Sequence, residues 1–427
     1  MTAAKPYRRS LDRVVELTKG GEALFLVGGT VRDLLLGRDL TDFDISGEIE
    51  PRKLGEDFAG ATGGTMVPVG ERFGTVRVVN DEGVFDFSAL RGGDIHRDLF
   101  ERDITINAMA YPFGRYCEAG FDAREVIDPL RGTEDLQRKV VRAVSGENLK
   151  SDPVRFFRVY RFASAFGFSV DDDTRKMAER HASCVRSVKG ERARDEIFAA
   201  FRGDYFEKAF KYRELIGLIS AFTGIDVAVE PAAERVLRLL RGVMEKTYEG
   251  VREIYFRELS GGRRGIDVLI LLSLFSGERE RPLPLLLFNL FRLSRREREV
   301  LSRVTQVMEG GLFPSRGASP IRPEAIVDAG AYLPHVILFA DGAGVFGNRR
   351  NAIEKTVQCY LENRDLIERR ELPFVSGKFI FPGLIKRVKN PKETLRKLMA
   401  EVLAGTIGSE RDARAFIDSV CVEKENG

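Results

Sequence analysis

Two aspartates one residue apart, Asp42 and Asp44, close the stretch LFLVGGTVRDLLLGRDLTDFDIS at residues 24–46. On a strand, side chains at i and i+2 project from the same face. The pair can therefore turn four carboxylate oxygens toward magnesium held beside bound phosphates. Upstream, the apolar run Leu24–Val27 ends in Gly28 and Gly29, and a helix-like stretch follows. A Gly-Gly turn lets backbone N–H groups approach a triphosphate at a helix N-terminus. Arg32, one turn into that helix, is placed to meet the same phosphates. An isolated Asp-x-Asp reads as a solvated strand end, but with the glycines and Arg32 ahead of it the combination points to nucleotidyl transfer.

Three further groups of residues could share that chemistry. Asp86 lies between Phe85 and Phe87 in VFDFSAL, so strand alternation turns it away from both rings. On a strand beside the one carrying Asp42 and Asp44 it could help activate an attacking hydroxyl; otherwise it is the polar outer face of an edge strand. In FERDITINAMA (100–110), Arg102, Asp103 and Asn107 are embedded among Ile, Ala and Met. Buried polar groups need partners, so these three form either a structural hydrogen-bond network or contacts to a ribose and phosphate. In SDPVRFFRVYRFASAFGF (151–168), Pro153 suits a first helical turn. Asp152, Arg155 and Arg158 would then follow along one side of a helix. An aspartate and an arginine one turn apart can read a base edge: the carboxylate accepts from an exocyclic amine while the guanidinium donates to a ring acceptor. Cytosine and adenine offer that pattern; uracil and guanine do not. The bland alternative is an intrahelical ion pair.

These residues need elements to hold them. Residues 1–145 read as mixed α/β, with strands expected at Leu24–Val27, Phe43–Ile45, Thr75–Val79 and Val84–Phe87, and a hairpin turn at Glu82-Gly83. Beyond about Lys150 helical periodicity takes over. Helices are expected over 152–166, 174–182, 190–201, 231–246, 266–276, 293–309 and 352–367. A break is expected near 146–151. The Gly-, Pro- and Ser-rich stretch 310–322 reads as a linker, and the closing region 372–420 begins LPFVSGKFIFPG and ends in helix-like sequence. The fold class is α+β: an α/β head followed by helices.

Composition bounds the rest. At 427 residues, 43% of them hydrophobic, the chain is globular and too long for one ordinary core. A net charge of +3 names no partner by itself. Arg263–Arg264 and Arg292–Arg298 are candidates for backbone phosphates, or else a solvated face, since glutamates intervene. Cys117, Cys184, Cys359 and Cys421 are far apart, which argues against zinc or a disulfide framework and for a reducing cytoplasm. His96, His181 and His335 are too scattered for a His-Asp phosphohydrolase or a triad hydrolase. Neither a leader-like apolar segment nor a membrane-spanning run is expected.

With these residues in place, GGTVRDLLLGRDLTDFDI resembles the signature of class II nucleotidyltransferases, the bacterial-type tRNA CCA-adding enzymes and poly(A) polymerases of the DNA polymerase beta superfamily. Further blocks follow in family order. ERDITINAMA is similar to the ribose block, DPLRGTEDLQRKVVR (128–142) to the next, and SDPVRFFRVYRF to the block that acts as a protein template for the incoming base. GERARDEI (190–197) is similar to the helix that steadies that block. The resemblance implies that Gly28, Gly29 and Arg32 contact the triphosphate and that Asp42 and Asp44 hold Mg2+, with Asp86 near the primer hydroxyl. It implies that Arg102, Asp103 and Asn107 face the ribose, and that Asp152 with Arg155, and Arg158 beyond them, serve the base. It also implies a nucleotidyltransferase head (1–145), a helical neck with the template (146–205), a helical body (206–315) and a tRNA-binding tail (316–427).

Departures refine the expectation. The template block begins Ser151-Asp152 where the family has Glu-Asp, and the ribose block begins Glu101-Arg102 where it has Arg-Arg. Between Arg91 and Asp98 only Gly92–Arg97 remain, where family members carry a longer flexible loop that lets the template switch from CTP to ATP. Shortening of that loop resembles the CC-adding specialists. The expected function is template-independent addition of the two cytidylates of the tRNA 3′ end, with full CCA addition, A addition and poly(A) synthesis as alternatives. The expected partners are the acceptor end and elbow of tRNA, with CTP as substrate and ATP as second candidate. The stretch 374–417 resembles the tail of tRNA-directed members, which favours tRNA over a poly(A) role. A non-catalytic RNA-binding protein would have lost Asp42 or Asp44, and an unrelated small-molecule nucleotidyltransferase would not bind a tRNA-sized duplex.

Overall fold

The computed structural model describes residues 7–18, 24–68, 74–202, 205, 212–275, 283–311, 321–347, 350–369 and 390–422. They fall into two compact units, Met1–Gly224 and Ile225–Gly427. The first carries the sheet and every candidate residue of the site. The second is built almost wholly of helices.

In the first unit, helix α1 (Arg8–Leu17) precedes β1 (Leu24–Val27), α2 (Gly29–Leu35), β2 (Asp42–Gly47), α3 (Pro51–Thr62), β3 (Thr65–Pro68), β4 (Val76–Asn80) and β5 (Gly83–Ala89). Helix α4 (Ile95–Phe100), β6 (Ala110–Pro112), α5 (Phe113–Ala119) and α6 (Gly132–Arg138) complete the head. The six strands form one sheet in the order β3-β4-β5-β2-β1-β6. Strands β2 and β5 run parallel, whereas the other pairs are antiparallel.

Register explains the core. Phe43 lies opposite Phe85 and Ile45 opposite Phe87 across the parallel pair, so all four side chains leave the sheet on one side. There the Phe43 and Phe85 rings stack with centroids 5.1 Å apart, and Phe58 of α3 meets both Phe85 and Phe87. All four phenylalanines are buried. Burying rings of this size supplies most of the driving force that fixes the register. The same pleat sends Asp42, Asp44 and Asp86 to the opposite side, as the alternation predicted.

After a short parallel pair of strands, β7 (Val140–Val141) with β8 (Ser169–Val170), a helical layer follows. It comprises α7 (Gly146–Ser151), α8 (Val154–Phe166), α9 (Asp172–Arg180), α10 (Gly190–Arg202) and α11 (Arg213–Thr223). Here one expectation is corrected. The helix predicted over 152–166 begins at Val154, because Asp152 is extended (φ −140°, ψ 87°) and Pro153 caps the helix. A proline pushes the residue before it out of the helical region. Asp152 therefore stands in the elbow between α7 and α8, and not on the helical face it was expected to share with Arg155.

The second unit contains helices Val229–Gly242, Gly265–Phe275, Leu283–Leu290, Arg295–Glu309, Pro323–Ala329, Leu333–Gly342, Arg350–Glu362, Pro391–Leu403 and Glu410–Val422 among its described residues. The helix expected over 352–367 stops at Glu362 and gives way to a π turn at Asp365–Arg369. Two short strands, Glu258–Ser260 and Arg263–Arg264, interrupt the helical pattern. Residues 312–320 of the expected linker and 372–389 of the closing region, including FVSGKFIFPGLIKR, lie outside the described residues. No helix among the described residues is long and apolar enough to cross a membrane.

Candidate active site

A cavity of about 580 Å³ opens over the polar side of the sheet. Every residue proposed from sequence for the nucleotide site lines it: Gly28, Gly29, Arg32, Asp42, Asp44, Asp86, Arg102, Asp103, Asn107, Asp152, Arg155 and Arg158. Among the described residues its wall carries eight arginines and seven aspartates. That balance suits a multivalent anion arriving with a cation.

Asp42 is exposed and Asp44 part-buried on adjacent outward positions of β2. The hydroxyl of Thr30 accepts from the Asp44 N–H at 2.7 Å and donates to the Asp42 carbonyl at 3.2 Å, tying α2 to β2. Burial, and next the nearby charge of Asp86, push the Asp44 carboxyl above the usual carboxylate range against the opposing pull of Arg102. A carboxylate kept in such surroundings is one that a cation would relieve. Among the described residues no group of three or more His, Cys, Asp or Glu could hold a metal unaided. The hard oxygens of Asp42 and Asp44 nonetheless fit magnesium, which binds through one or two carboxylates and completes its shell with water and substrate phosphate.

Asp86 sits opposite Asp44 across the parallel strands and opposite Arg77 across the antiparallel ones. Arg77 grips it with both prongs, Nε at 2.8 Å from Oδ1 and Nη2 at 2.7 Å from Oδ2. Arg77 lies within a strand expected from sequence but was not singled out there; its partner appears only once the register brings it to Asp86.

The glycine turn behaves differently from expectation. Gly28 adopts φ +62°, and a Cβ there would come within 2.8 Å of Arg102 Nη1. The positive φ disfavours a side chain here, and a Cβ would also displace the end of Arg102. The two glycine N–H groups, however, are engaged within the chain: Gly28 donates to the Met109 carbonyl at 3.1 Å and Gly29 to Asp44 Oδ2 at 3.1 Å. The turn brings the backbone close; the cations facing the cavity are side chains.

Of those, Arg32 donates to Asn107 Oδ1 at 2.6 Å and to Asp33, and its guanidinium lies 4.7 Å from the centre of the Phe166 ring. Arg102 is held by Asp98 at 2.7 Å and 3.0 Å and reaches the Asn107 carbonyl at 3.3 Å. Asp103 accepts from Arg158 Nε at 2.7 Å. Burial works against its ionisation, but Arg158 outweighs it and holds the Asp103 carboxyl at about 2. Arg102 and Asn107 are thus linked to each other, Asp103 is paired separately with Arg158, and all three line the cavity.

At the far wall, Asp152 and Arg155 do not pair with each other. Asp152 is held by Arg192 of α10, Nη1 to Oδ1 at 2.7 Å and Nη2 to Oδ2 at 2.8 Å. Burial opposes its ionisation, and the Arg192 contact lowers its carboxyl below the usual range. Arg155 donates through Nη1 to the Glu101 carbonyl at 3.0 Å and the Asn148 carbonyl at 3.1 Å. The intrahelical ion pair is therefore absent among the described residues. Arg192 lies in the GERARDEI stretch read as a steadying helix, though it was not singled out there. Arg161 and Phe162, also in the wall, were missed: their spacing on α8 reads as ordinary amphipathic helix.

The connection after β5 is short. Leu90 leads into a single turn, Arg91–Gly93, in which Gly92 and Gly93 take φ +66° and +72°. Asp94 then caps α4 by accepting from the Arg97 N–H at 3.0 Å.

A family model described as the poly A polymerase head domain matches residues 24–96 and 91–142. The chain is 29% identical over 426 residues to a CC-adding tRNA nucleotidyltransferase of Synechocystis sp., covering 92% of each chain. It is 40% identical over 185 residues to a CC-adding tRNA nucleotidyltransferase of Geobacter sulfurreducens, covering 42% of this chain and 40% of that relative. Among solved structures, a CCA-adding enzyme in complex with ATP superposes with a TM-score of 0.69 at 20% identity, covering 98% of this chain and 93% of that one. At that identity the likeness concerns the fold.

Proposed function

We propose that the chain is a nucleotidyltransferase of the class II tRNA nucleotidyltransferase and poly(A) polymerase family that adds nucleotides to the 3′ end of tRNA, with CTP as substrate and two cytidylates added. The observation that carries this reading is the cavity itself. It sets Asp42 and Asp44 against a wall of arginines, with a carboxylate and a guanidinium suited to a base edge at its far side.

In this mechanism Asp42 and Asp44 would hold Mg2+, which when bound would supply charge neutralisation at the phosphates and a lower pKa for the attacking RNA hydroxyl. Arg32 and Arg102, each oriented by a carboxylate and by Asn107, meet the triphosphate. Asp86 lies beside the acidic pair, where the 3′-hydroxyl would approach the α-phosphorus in line with departing pyrophosphate. Asp103 and Asn107 shape the ribose side. A two-pronged arginine leaves a carboxylate with further lone pairs, so Asp152, gripped by Arg192, can still accept from the exocyclic amine of cytosine. Arg155, engaged among the described residues only through Nη1, can donate to the neighbouring ring acceptor. Arg158 fixes Asp103 and so braces the same wall.

The restriction to cytidylate is supported by the short turn at Arg91–Gly93 and by the names of the relatives above. The head, neck, body and tail division at 145, 205 and 315, tRNA contacts in the last of these and a cytoplasmic setting belong to the same proposal. The test is incubation of the purified protein with tRNA lacking its CCA end, in the presence of both CTP and ATP. Addition of two cytidylates is expected. Efficient addition of a terminal adenylate would overturn the CC-only reading and leave full CCA addition in its place. Incorporation into tRNA and into an unstructured RNA with equal efficiency would favour the poly(A) alternative.

A further inference from the structure

Three consecutive backbone carbonyls at and just past the end of α4, Phe100 to Arg102, each accept from Asn148 or Arg155, two side chains from a later part of the chain. The Asn148 side-chain amide donates to the Phe100 carbonyl at 2.7 Å and to the Arg102 carbonyl at 2.8 Å. Between them, the Glu101 carbonyl accepts from Arg155 at 3.0 Å and, at the longer distance of 3.3 Å, from Arg91 Nη1. Carbonyls at a helix C-terminus have no partner within the helix, so this row is a natural seat for donors. Asn148 is itself fixed: its N–H donates to Ser145 Oγ at 3.1 Å, where Ser145 caps α7. Its own carbonyl is the second acceptor of Arg155.

We infer that Asn148 is a specificity-determining positioning residue, which sets the position of the Arg155 guanidinium by holding the carbonyl row on which Arg155 rests. Both hydrogen bonds that the Arg155 side chain makes among the described residues are to carbonyls that Asn148 either carries or flanks. Both amide hydrogens of Asn148 are spent on the row, so loss of the side chain releases it at two points. Arg155 would then keep its charge, its helix and the backbone carbonyl of residue 148, but rest on a Glu101 carbonyl whose two neighbours are no longer held. A guanidinium free to shift by about an ångström no longer separates one base edge from another, since misplacement of that size can cost on the order of a hundredfold in a positioned reaction. The inference rests on the reading of Asp152 and Arg155 as the base-edge pair.

The experiment compares the wild type, Asn148→Leu and Arg155→Ala for the ratio of kcat/KM with CTP to that with ATP, on tRNA lacking its CCA end. Asn148→Leu keeps bulk and helix propensity and removes both donors. Its ratio is expected to fall about tenfold, the size of two neutral hydrogen bonds, with tRNA affinity by gel shift unchanged. If the protein does not fold, Asn148→Ser is read in the same way. An unchanged ratio in Asn148→Leu, or equal losses with both nucleotides, alongside a lowered ratio in Arg155→Ala, would overturn the role of Asn148 and leave the base-edge pair standing. An unchanged ratio in both variants would overturn the base-edge reading and this inference with it.

Discussion

Arg77 and Asp86 face each other across β4 and β5 in a two-pronged ion pair, with both nitrogen-to-oxygen distances under 2.9 Å. Asp86 in turn lies opposite Asp44 of β2 across the parallel pair. One arginine thus fixes the orientation of the carboxylate nearest the acidic pair.

Replacing Arg77 with Leu should therefore slow catalysis more than it weakens the fold. Partly exposed ion pairs contribute about 1 kcal/mol or less, whereas partners that orient a carboxylate at a metal site typically matter by about 10–100-fold in activity. Steady-state incorporation of CTP should show the loss in kcat with little change in KM for CTP. A loss confined to KM would place Arg77 in nucleotide binding.

Asp44→Asn should abolish incorporation and yet raise the melting temperature. Burial, then Asp86, lift the Asp44 carboxyl above its unfolded value. A raised carboxyl pKa means that the ionised group costs stability above that pKa, and the cost disappears as pH falls through it. Thermal unfolding at neutral pH in chelator, compared with Asp42→Asn at the exposed neighbouring position, measures the difference. A lower melting point for Asp44→Asn would show that its bond to the Gly29 N–H outweighs the cost of its charge.

Asp103 gives the opposite sign. Held at about 2 against an ordinary 3.8, chiefly by Arg158 against the burial that opposes it, it contributes stability above the unfolded value that is lost as pH falls toward 2. The contribution is about 2 kcal/mol at neutral pH. Denaturant unfolding of the wild type and Asp103→Asn should differ by that amount at pH 7, and the gap should narrow progressively below about pH 5. A constant gap would assign the difference to packing.

Arg192→Ala removes the grip on Asp152 while leaving Arg155 seated. The KM for CTP should rise about tenfold, as expected for loss of a charged hydrogen-bonded partner, with tRNA affinity unchanged in a gel shift at fixed salt. Equal weakening of tRNA binding would make Arg192 an RNA contact.

How much of this was legible in the sequence depended on range. Period-two alternation in FDI and FDF was enough to turn Asp42, Asp44 and Asp86 to one side, because Phe43, Phe85 and Phe87 had to turn to the other. Arg77 could not be recognised the same way: a lone charge on a strand is ordinary until the register across the hairpin is known. The break before α8 was readable in principle, since Pro153 constrains Asp152, but helical spacing in the arginines that follow suggested one continuous face. The Gly-Gly turn was found correctly and its N–H groups were not, because Asp44 and Met109 take them only after the sheet forms. The Asn148 clasp joins residues far apart in the chain and carries no local signal.

The parallel register of β2 and β5 also limits how this head can change in length. An added or deleted residue within either strand would swap carboxylates for phenylalanines on the reacting side and invert the site. The turn at Gly92 and Gly93 carries no such parity, since both residues already occupy left-handed backbone that any insertion could replace. Reshaping by insertion or deletion is thereby channelled away from the acidic strands and into that turn, so the acidic strands can stay constant while the turn is rebuilt.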